Sequence, residues 1–280
     1  MIIVKLWGGI GNQLFQYVLG QYLYYKYGQE VRYDDNSYRI TDKLRKRELD
    51  SLDIDIKYDN KCIFTLYSGI KGRLLRYFYQ LNPKHIFIGL DEKLPDAFKM
   101  DHEYFLQAYW QDYKYYDALL SVNPDFKLVT KVFPKELVDL RQLISSTADS
   151  VSVHIRRGDY FKPEFVNIYG VCTDDYFLKA MTMIEEKVTD PSYFVFSDDL
   201  EWVKGNLHFN KNTVFIPNYD ISQFAFIELM SLCKHHIISN SSFSWWGAVL
   251  NEQKDAIVIS PSKWLLNTDK TIALDKWTKI

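Results

Sequence analysis

Arg156 and Arg157 stand side by side in Val151-Ser152-Val153-His154-Ile155-Arg156-Arg157-Gly158-Asp159-Tyr160. Two adjacent guanidiniums match an anion: each presents a planar fork that grips carboxylate or phosphate and stays charged at any working pH. His154 and Asp159 flank them and are the groups nearby that can take up a proton. Downstream, Ser239-Asn240-Ser241-Ser242-Phe243 places hydroxyls just before an apolar run. Such a turn caps a helix, and it also aims backbone N–H groups outward, where a bound anion gains from them. Ser197-Asp198-Asp199 adds a carboxylate pair able to accept hydrogen bonds from a guanine or a ribose. Near the start, Gly8-Gly9-Ile10-Gly11-Asn12-Gln13 is a tight turn that presents Asn12 and Gln13. Its glycine spacing is not that of a dinucleotide fingerprint.

Plainer roles exist for several of these residues. Arg156 and Arg157 can pair with Asp159 and Glu164 on a solvated loop, and Arg157-Gly158-Asp159 has the letters of an adhesion motif, although an apolar strand leads into it. Trp245 and Trp246 fit a helix core better than a sugar platform. His235 and His236 read as strand-edge residues, and Glu228 either meets a nucleotide or pairs with Lys234.

The elements that must position this chemistry are legible in the periodicity. Val151, Val153 and Ile155 alternate with Ser152, His154 and Arg156, as in a strand with one buried face. Ser192–Phe196, Thr213–Ile216 and His236–Ser239 read as further strands, and they alternate with helices from Thr173 or Asp174 to Lys187, from about Ser222 to Cys233, and from Ser242 to Leu250. Alternation of this kind specifies a parallel sheet, with ligands at the carboxyl ends of the strands. In the first half, Met1–Trp7 is a strand that turns into a helix bearing Leu14, Phe15, Val18, Leu19 and Tyr22. A strand follows at Val31–Tyr33 and another at Tyr104–Gln111, with Asp112 as the cap of a Tyr-rich helix. Residues 36–95 read as polar, irregular and basic. Within them Lys71, Arg73 and Arg76 interleave with Leu74, Leu75, Tyr77 and Phe78, a pattern that can lie on an anionic membrane. Phe133–Ile144 reads as a helix and Ser145–Ser150 as a loop, which sets the domain boundary at 148/149.

Composition narrows the class. With 47% hydrophobic and 25% charged residues the chain has ample material for a core, and a net charge of −2 gives no reason to expect nucleic acid as partner. Cys62, Cys172 and Cys233 are odd in number and widely spaced, which suits a reducing compartment and neither a disulfide framework nor a metal cluster. No basic leader precedes the first strand and no apolar run is long enough to span a bilayer, so a cytoplasmic protein is expected. Arginines, a serine-rich helix start and a carboxylate pair at neighbouring strand ends, with no metal-binding triplet, are the layout of a metal-independent group transferase acting on a nucleotide sugar.

His154–Tyr160, Phe196–Asp199, Ser239–Gly247 and Gly8–Tyr17, taken as an ordered set along nearly the whole chain, resemble the bacterial α-1,2-fucosyltransferases of glycosyltransferase family 11. The resemblance implies an α/β fold of GT-B type, with two Rossmann-like domains facing across a cleft: an acceptor-side domain over 1–148 and a GDP-fucose-binding domain over 149–280. It implies GDP-β-L-fucose as donor, no metal or other cofactor, and a galactose-terminated oligosaccharide or lipid-linked glycan as acceptor, fucosylated on its 2-hydroxyl with inversion. Arg156, Asp159 and Asn12 would be the catalytic residues. His154, Arg157, Asp198, Asp199, Ser241, Ser242 and Phe243 would hold the donor nucleotide. Another nucleotide sugar on the same fold, or a non-catalytic nucleotide-sugar or glycan-binding module, are the alternatives.

Overall fold

The computed structural model describes residues 1–40, 42–59, 74, 77–89, 93–161, 163–170, 172–210 and 212–280, and within 158–169 it leaves the side chains of Asp159, Phe161 and residues 163–165 undescribed. Cys62, Lys71, Arg73 and Arg76 lie outside the described residues. The chain divides into two compact units, Met1–Lys131 and Val132–Ile280.

The first unit holds strands β1 (Ile2–Lys5), β2 (Val31–Asp34), β3 (His85–Ile88) and β4 (Glu103–Leu106) and helices α1 (Ile10–Tyr27), α2 (Ser37–Ile40) and α3 (Tyr113–Val122). Its strands form a parallel sheet in the order β2-β1-β4-β3. Asp112 caps α3, accepting from the Lys114 N–H at 3.0 Å. Two expectations are corrected. The strand expected over Tyr104–Gln111 ends at Leu106, and Trp110 takes a positive φ of 56° where the chain turns toward α3. Within the segment read as irregular, His85–Ile88 is an edge strand, steadied by Phe87 stacked on Phe105 (4.7 Å) and Tyr79 on His85 (3.9 Å). The local sequence carries too short an apolar run to announce it, and ring packing across the sheet supplies the stability.

The second unit holds α4 (Val138–Ser146), β5 (Ser150–Ile155), α5 (Pro163–Tyr169), α6 (Asp174–Glu185), β6 (Ser192–Ser197), α7 (Leu200–Asn206), β7 (Thr213–Phe215), α8 (Gln223–Leu232), β8 (His235–Ile237), α9 (Ser242–Val249), β9 (Val258–Ser260) and β10 (Thr278–Lys279). All its strands are parallel, in the order β10-β9-β8-β5-β6-β7. The division falls ahead of α4, not at 148/149, because α4 packs on α8 and Arg141 pairs with Glu228 at 3.4 Å. Glu228 therefore does not pair with Lys234, whose partner is Asp149 at 2.8 Å.

β5 is buried on both faces, where the alternation suggested one. The reason is its central place, with helices covering both sides of a parallel sheet. For the same reason His235 and His236 are not at a sheet edge: β8 lies between β9 and β5, and the Ser152 hydroxyl sits 2.7 Å from His236 Nδ1. Trp245 and Trp246 are fully buried. Gly247 lets α9 close on α8, since a Cβ there would come within 2.8 Å of Met230 Cβ.

Candidate active site

In the second unit the strand order reverses between β5 and β8, because β6 and β7 extend the sheet on one side and β9 and β10 on the other. Open α/β sheets bind ligands at such a switch point, outside the carboxyl ends of the strands. His154 and Arg156 come off the end of β5 there, and Ser239–Phe243 come off the end of β8. Ser239, fully buried, ties the two strand ends together. Its hydroxyl accepts from the Arg156 N–H at 3.1 Å and donates to the His154 carbonyl at 2.5 Å. The sequence placed Ser239 in the motif without a role, because only the pairing of β5 with β8 gives it one.

Ser241 caps α9, accepting from the Phe243 N–H at 3.4 Å, and leaves Ser242 and Phe243 partly exposed at the helix start. Asn240 is a clamp beneath them, donating to the carbonyls of Tyr169 (2.8 Å) and Trp264 (3.2 Å). Phe243 lies 5.3 Å from His154, ring to ring. His154 is buried, its Nδ1 has no hydrogen-bond partner among the described residues, and burial, with the Arg156 guanidinium second, lowers its pKa to about 3. It is therefore a neutral hydrogen-bonding group at working pH and a weak base.

The two arginines do different things. Arg157 turns inward: its guanidinium carbon sits 3.2 Å from the Trp202 ring centroid, and Nε is 3.5 Å from Asp199 Oδ2. Asp199 also caps α7, accepting from the Trp202 N–H at 3.2 Å. Arg156 pairs with Asp198 through Nη1 at 3.0 Å and lies 5.7 Å from the Tyr160 ring. Asp198 and Asp199 are thus carboxylates that meet the arginines, while the pairing with Asp159 and Glu164 suggested by proximity in sequence falls on side chains outside the description. Gly158–Phe161 is a turn of 3-10 helix carrying Asp159, whose side chain is outside the description. Among the described residues no group of three or more His, Cys, Asp or Glu could hold a metal ion.

In the first unit the order reverses between β1 and β4. The β1–α1 turn sits there, with Gly8 at φ +78°, a conformation that disfavours side chains. Asn12 is partly exposed and accepts from Gln111 Nε2 at 2.7 Å, while Trp7 stacks on Tyr109 at 4.6 Å. Gln13, expected to face a ligand, is instead fully buried. Its amide donates to the carbonyls of Gly8 and Lys46, both at 3.0 Å, and accepts from the Glu48 N–H at 2.9 Å. Tyr38 adds a bond to the Gly8 carbonyl at 2.9 Å. This folds the basic run 43–47 onto the turn, so that a Cβ on Gly9 would lie 3.1 Å from Arg45 Nη1. Spacing in sequence gave no sign of that clamp, since its partners are over thirty residues from Gln13.

His154 and His236 both have pKa values lowered to about 3, burial being the main cause. Above pH 6.5 each is neutral folded or unfolded and contributes no pH dependence. As pH falls from 6.5 toward 3 the unfolded chain binds protons that the native state refuses, at about 1.4 kcal/mol per pH unit for each histidine. Urea unfolding at pH 7.0 and 5.5 is expected to show a loss of about 2–3 kcal/mol on acidification. Equal stability at the two pH values would mean that both rings accept protons in place.

Two Rossmann-like parallel units with a cation-lined switch point define the GT-B class of sugar-transferring folds. A NodZ α-1,6-fucosyltransferase crystal soaked with GDP-fucose matches at a TM-score of 0.55 and 12% identity, over 89% of this chain and 91% of that one. The model of "Glycosyl transferase family 11" matches residues 80–280. The chain belongs to glycosyltransferase family 11. It is 31% identical to the O-antigen biosynthesis glycosyltransferase WbnK of Escherichia coli, over 98% of each chain. It is likewise 31% identical to an Escherichia coli α-1,2-colitosyltransferase, over 100% of this chain and 99% of the relative. No described helix is long and apolar enough to cross a membrane.

Proposed function

We propose that this glycosyltransferase is an inverting α-1,2-fucosyltransferase that moves L-fucose from GDP-β-L-fucose to the 2-hydroxyl of a terminal galactose on a glycan. The observation that carries the reading is the switch point of the second unit, where Arg156, the unpartnered His154 ring nitrogen and the start of α9 converge around Ser239. A buried polar atom without a partner costs about 1–3 kcal/mol, and a bound nucleotide would remove that cost. In the transfer, the acceptor oxygen attacks the anomeric carbon opposite the diphosphate. The carbon–phosphate-oxygen bond breaks with its electron pair going to GDP, and the hydroxyl proton leaves to a base for which Asp159 is our choice. Arg156 and the N–H groups at the start of α9 stabilise the growing negative charge on GDP, the work a metal does in other transferases, so no metal is required. Asn12 is assigned to the face presented to the sugars.

The full-length similarity to an α-1,2-colitosyltransferase supports a second reading, GDP-colitose as donor. Colitose is fucose without its 3-hydroxyl. A site that hydrogen-bonds that hydroxyl rejects the deoxy sugar by about 10⁴-fold, while one that does not accepts both. The test is to supply GDP-fucose or GDP-colitose with lactose in EDTA and to measure GDP release and product linkage. We expect turnover with GDP-fucose, undiminished by EDTA, and an α-1,2 product. Turnover with GDP-colitose alone would establish the second reading, abolition by EDTA would refute metal independence, and GDP binding without turnover would leave a binding module.

We place the enzyme at the cytoplasmic face of an anionic membrane, where a lipid-linked acceptor is presented. Leu74, Tyr77, Phe78 and Leu81 recur at helical spacing and are all more than half exposed, and Lys71, Arg73 and Arg76 belong to the same stretch of sequence. Co-sedimentation with anionic vesicles is expected to fall sharply in a Tyr77→Ser, Phe78→Ser variant. Undiminished pelleting of that variant would remove this placement.

A further inference from the structure

The structure assigns Asp198 a role that rests on the reading of Arg156 as the diphosphate ligand: we infer that Asp198 is a positioning residue, setting the angle at which Arg156 meets the leaving group. One carboxylate holds two consecutive residues. Asp198 Oδ1 accepts from the Arg157 N–H at 2.9 Å, and Oδ2 pairs with Arg156 Nη1 at 3.0 Å. Backbone and guanidinium are thereby fixed from the end of the neighbouring strand, β6, at the point where β5 gives way to an irregular turn. Asp199 cannot take over the task, because its oxygens face the Trp202 N–H and Arg157 Nε.

Both partners are only partly exposed, 23% for Arg156 and 26% for Asp198, so the pair orients the guanidinium without sealing it off. A guanidinium has five N–H donors, more than one carboxylate oxygen can take. A pair of this exposure contributes little to stability. Its value lies in geometry, since misplacing a reacting group by about 1 Å can cost about 100-fold in rate.

Gly158 is what lets the carboxylate in. A Cβ built on Gly158 would stand 2.5 Å from Asp198 Oδ2 and 3.2 Å from its Cγ. Gly158 is not among the positive-φ glycines, so alanine fits the backbone there, and what must move is the end of the Asp198 side chain. Gly158→Ala therefore pushes the carboxylate off Arg156 and leaves both charges in place.

Four variants test this: Asp198→Asn, Gly158→Ala, Arg156→Ala, and Arg156→Ala with Asp198→Asn, each followed by kcat, KM, GDP affinity and Tm. Asp198→Asn and Gly158→Ala are expected to lower kcat about 10- to 100-fold with Tm nearly unchanged. In the Arg156→Ala background the Asp198→Asn change should add less than about 3-fold, the non-additivity of two residues that act as one unit. The same loss from Asp198→Asn in both backgrounds would overturn the inference and make Asp198 a direct ligand contact, with the diphosphate reading intact. Normal kcat in both Asp198→Asn and Gly158→Ala would overturn it as well. Normal turnover in Arg156→Ala would overturn the diphosphate reading first and this inference with it.

Discussion

Replacing Arg156 by alanine is expected to cut turnover about 100- to 1000-fold while the protein stays folded. Breaking the bond between sugar and diphosphate places negative charge on GDP, and a fixed cation aimed at that charge stabilises the transition state more than the ground state. Removing one such donor carries a cost of that size. Arg156 is suited to the task because its backbone is pinned by Ser239 and its side chain by Asp198. Lysine would keep the charge and lose the fork, so Arg156→Lys should recover only part of the rate. Arg157 provides the contrast. Its guanidinium lies on Trp202 and beside Asp199, at 14% exposure, so Arg157→Ala should loosen the start of α7 and cost far less in turnover. Steady-state kinetics with thermal melts on the three variants decide this. Arg156→Ala with near-normal kcat would refute the assignment.

The largest expected loss of stability comes from Trp245→Ala, at about 3–5 kcal/mol. Trp245 is fully buried, packs edge-on against Trp246 at 5.0 Å and against Trp277 at 6.2 Å, and its indole N–H donates to the Ile272 carbonyl at 2.6 Å. Truncation leaves a cavity and an unpaired carbonyl together. For a unit of this size a loss on that scale lowers Tm by about 10 °C or more. Calorimetry on the variant measures it directly. An unchanged Tm accompanied by weaker acceptor binding would turn this tryptophan into a sugar platform after all.

The candidate site was legible because its residues sit at or within a few positions of strand ends whose apolar runs are unmistakable: His154 inside and Arg156 just after Val151–Ile155, and Ser241–Phe243 after His236–Ile238. Motif order along the chain then indicated the family. What sequence could not show is pairing over distance. The Arg157–Trp202 stack, the Ser239 bridge and the Gln13 clamp each join segments that only the folded sheet brings together. β3 and the two-residue β10 owe their existence to neighbouring strands more than to their own composition. The domain boundary was misplaced for a related reason: the polar stretch 145–150, expected as a loop, ends α4 and begins β5 with only 147–149 between them, whereas the division depends on which half α4 docks against, and that is written in α8.

A crystal of the protein soaked with GDP tests the central claim most directly. The diphosphate should lie at the carboxyl ends of β5 and β8, within hydrogen-bond reach of the Arg156 guanidinium and the N–H groups at the start of α9, with the nucleoside beside His154. GDP bound anywhere else, with Arg156 still paired with Asp198, would contradict the account.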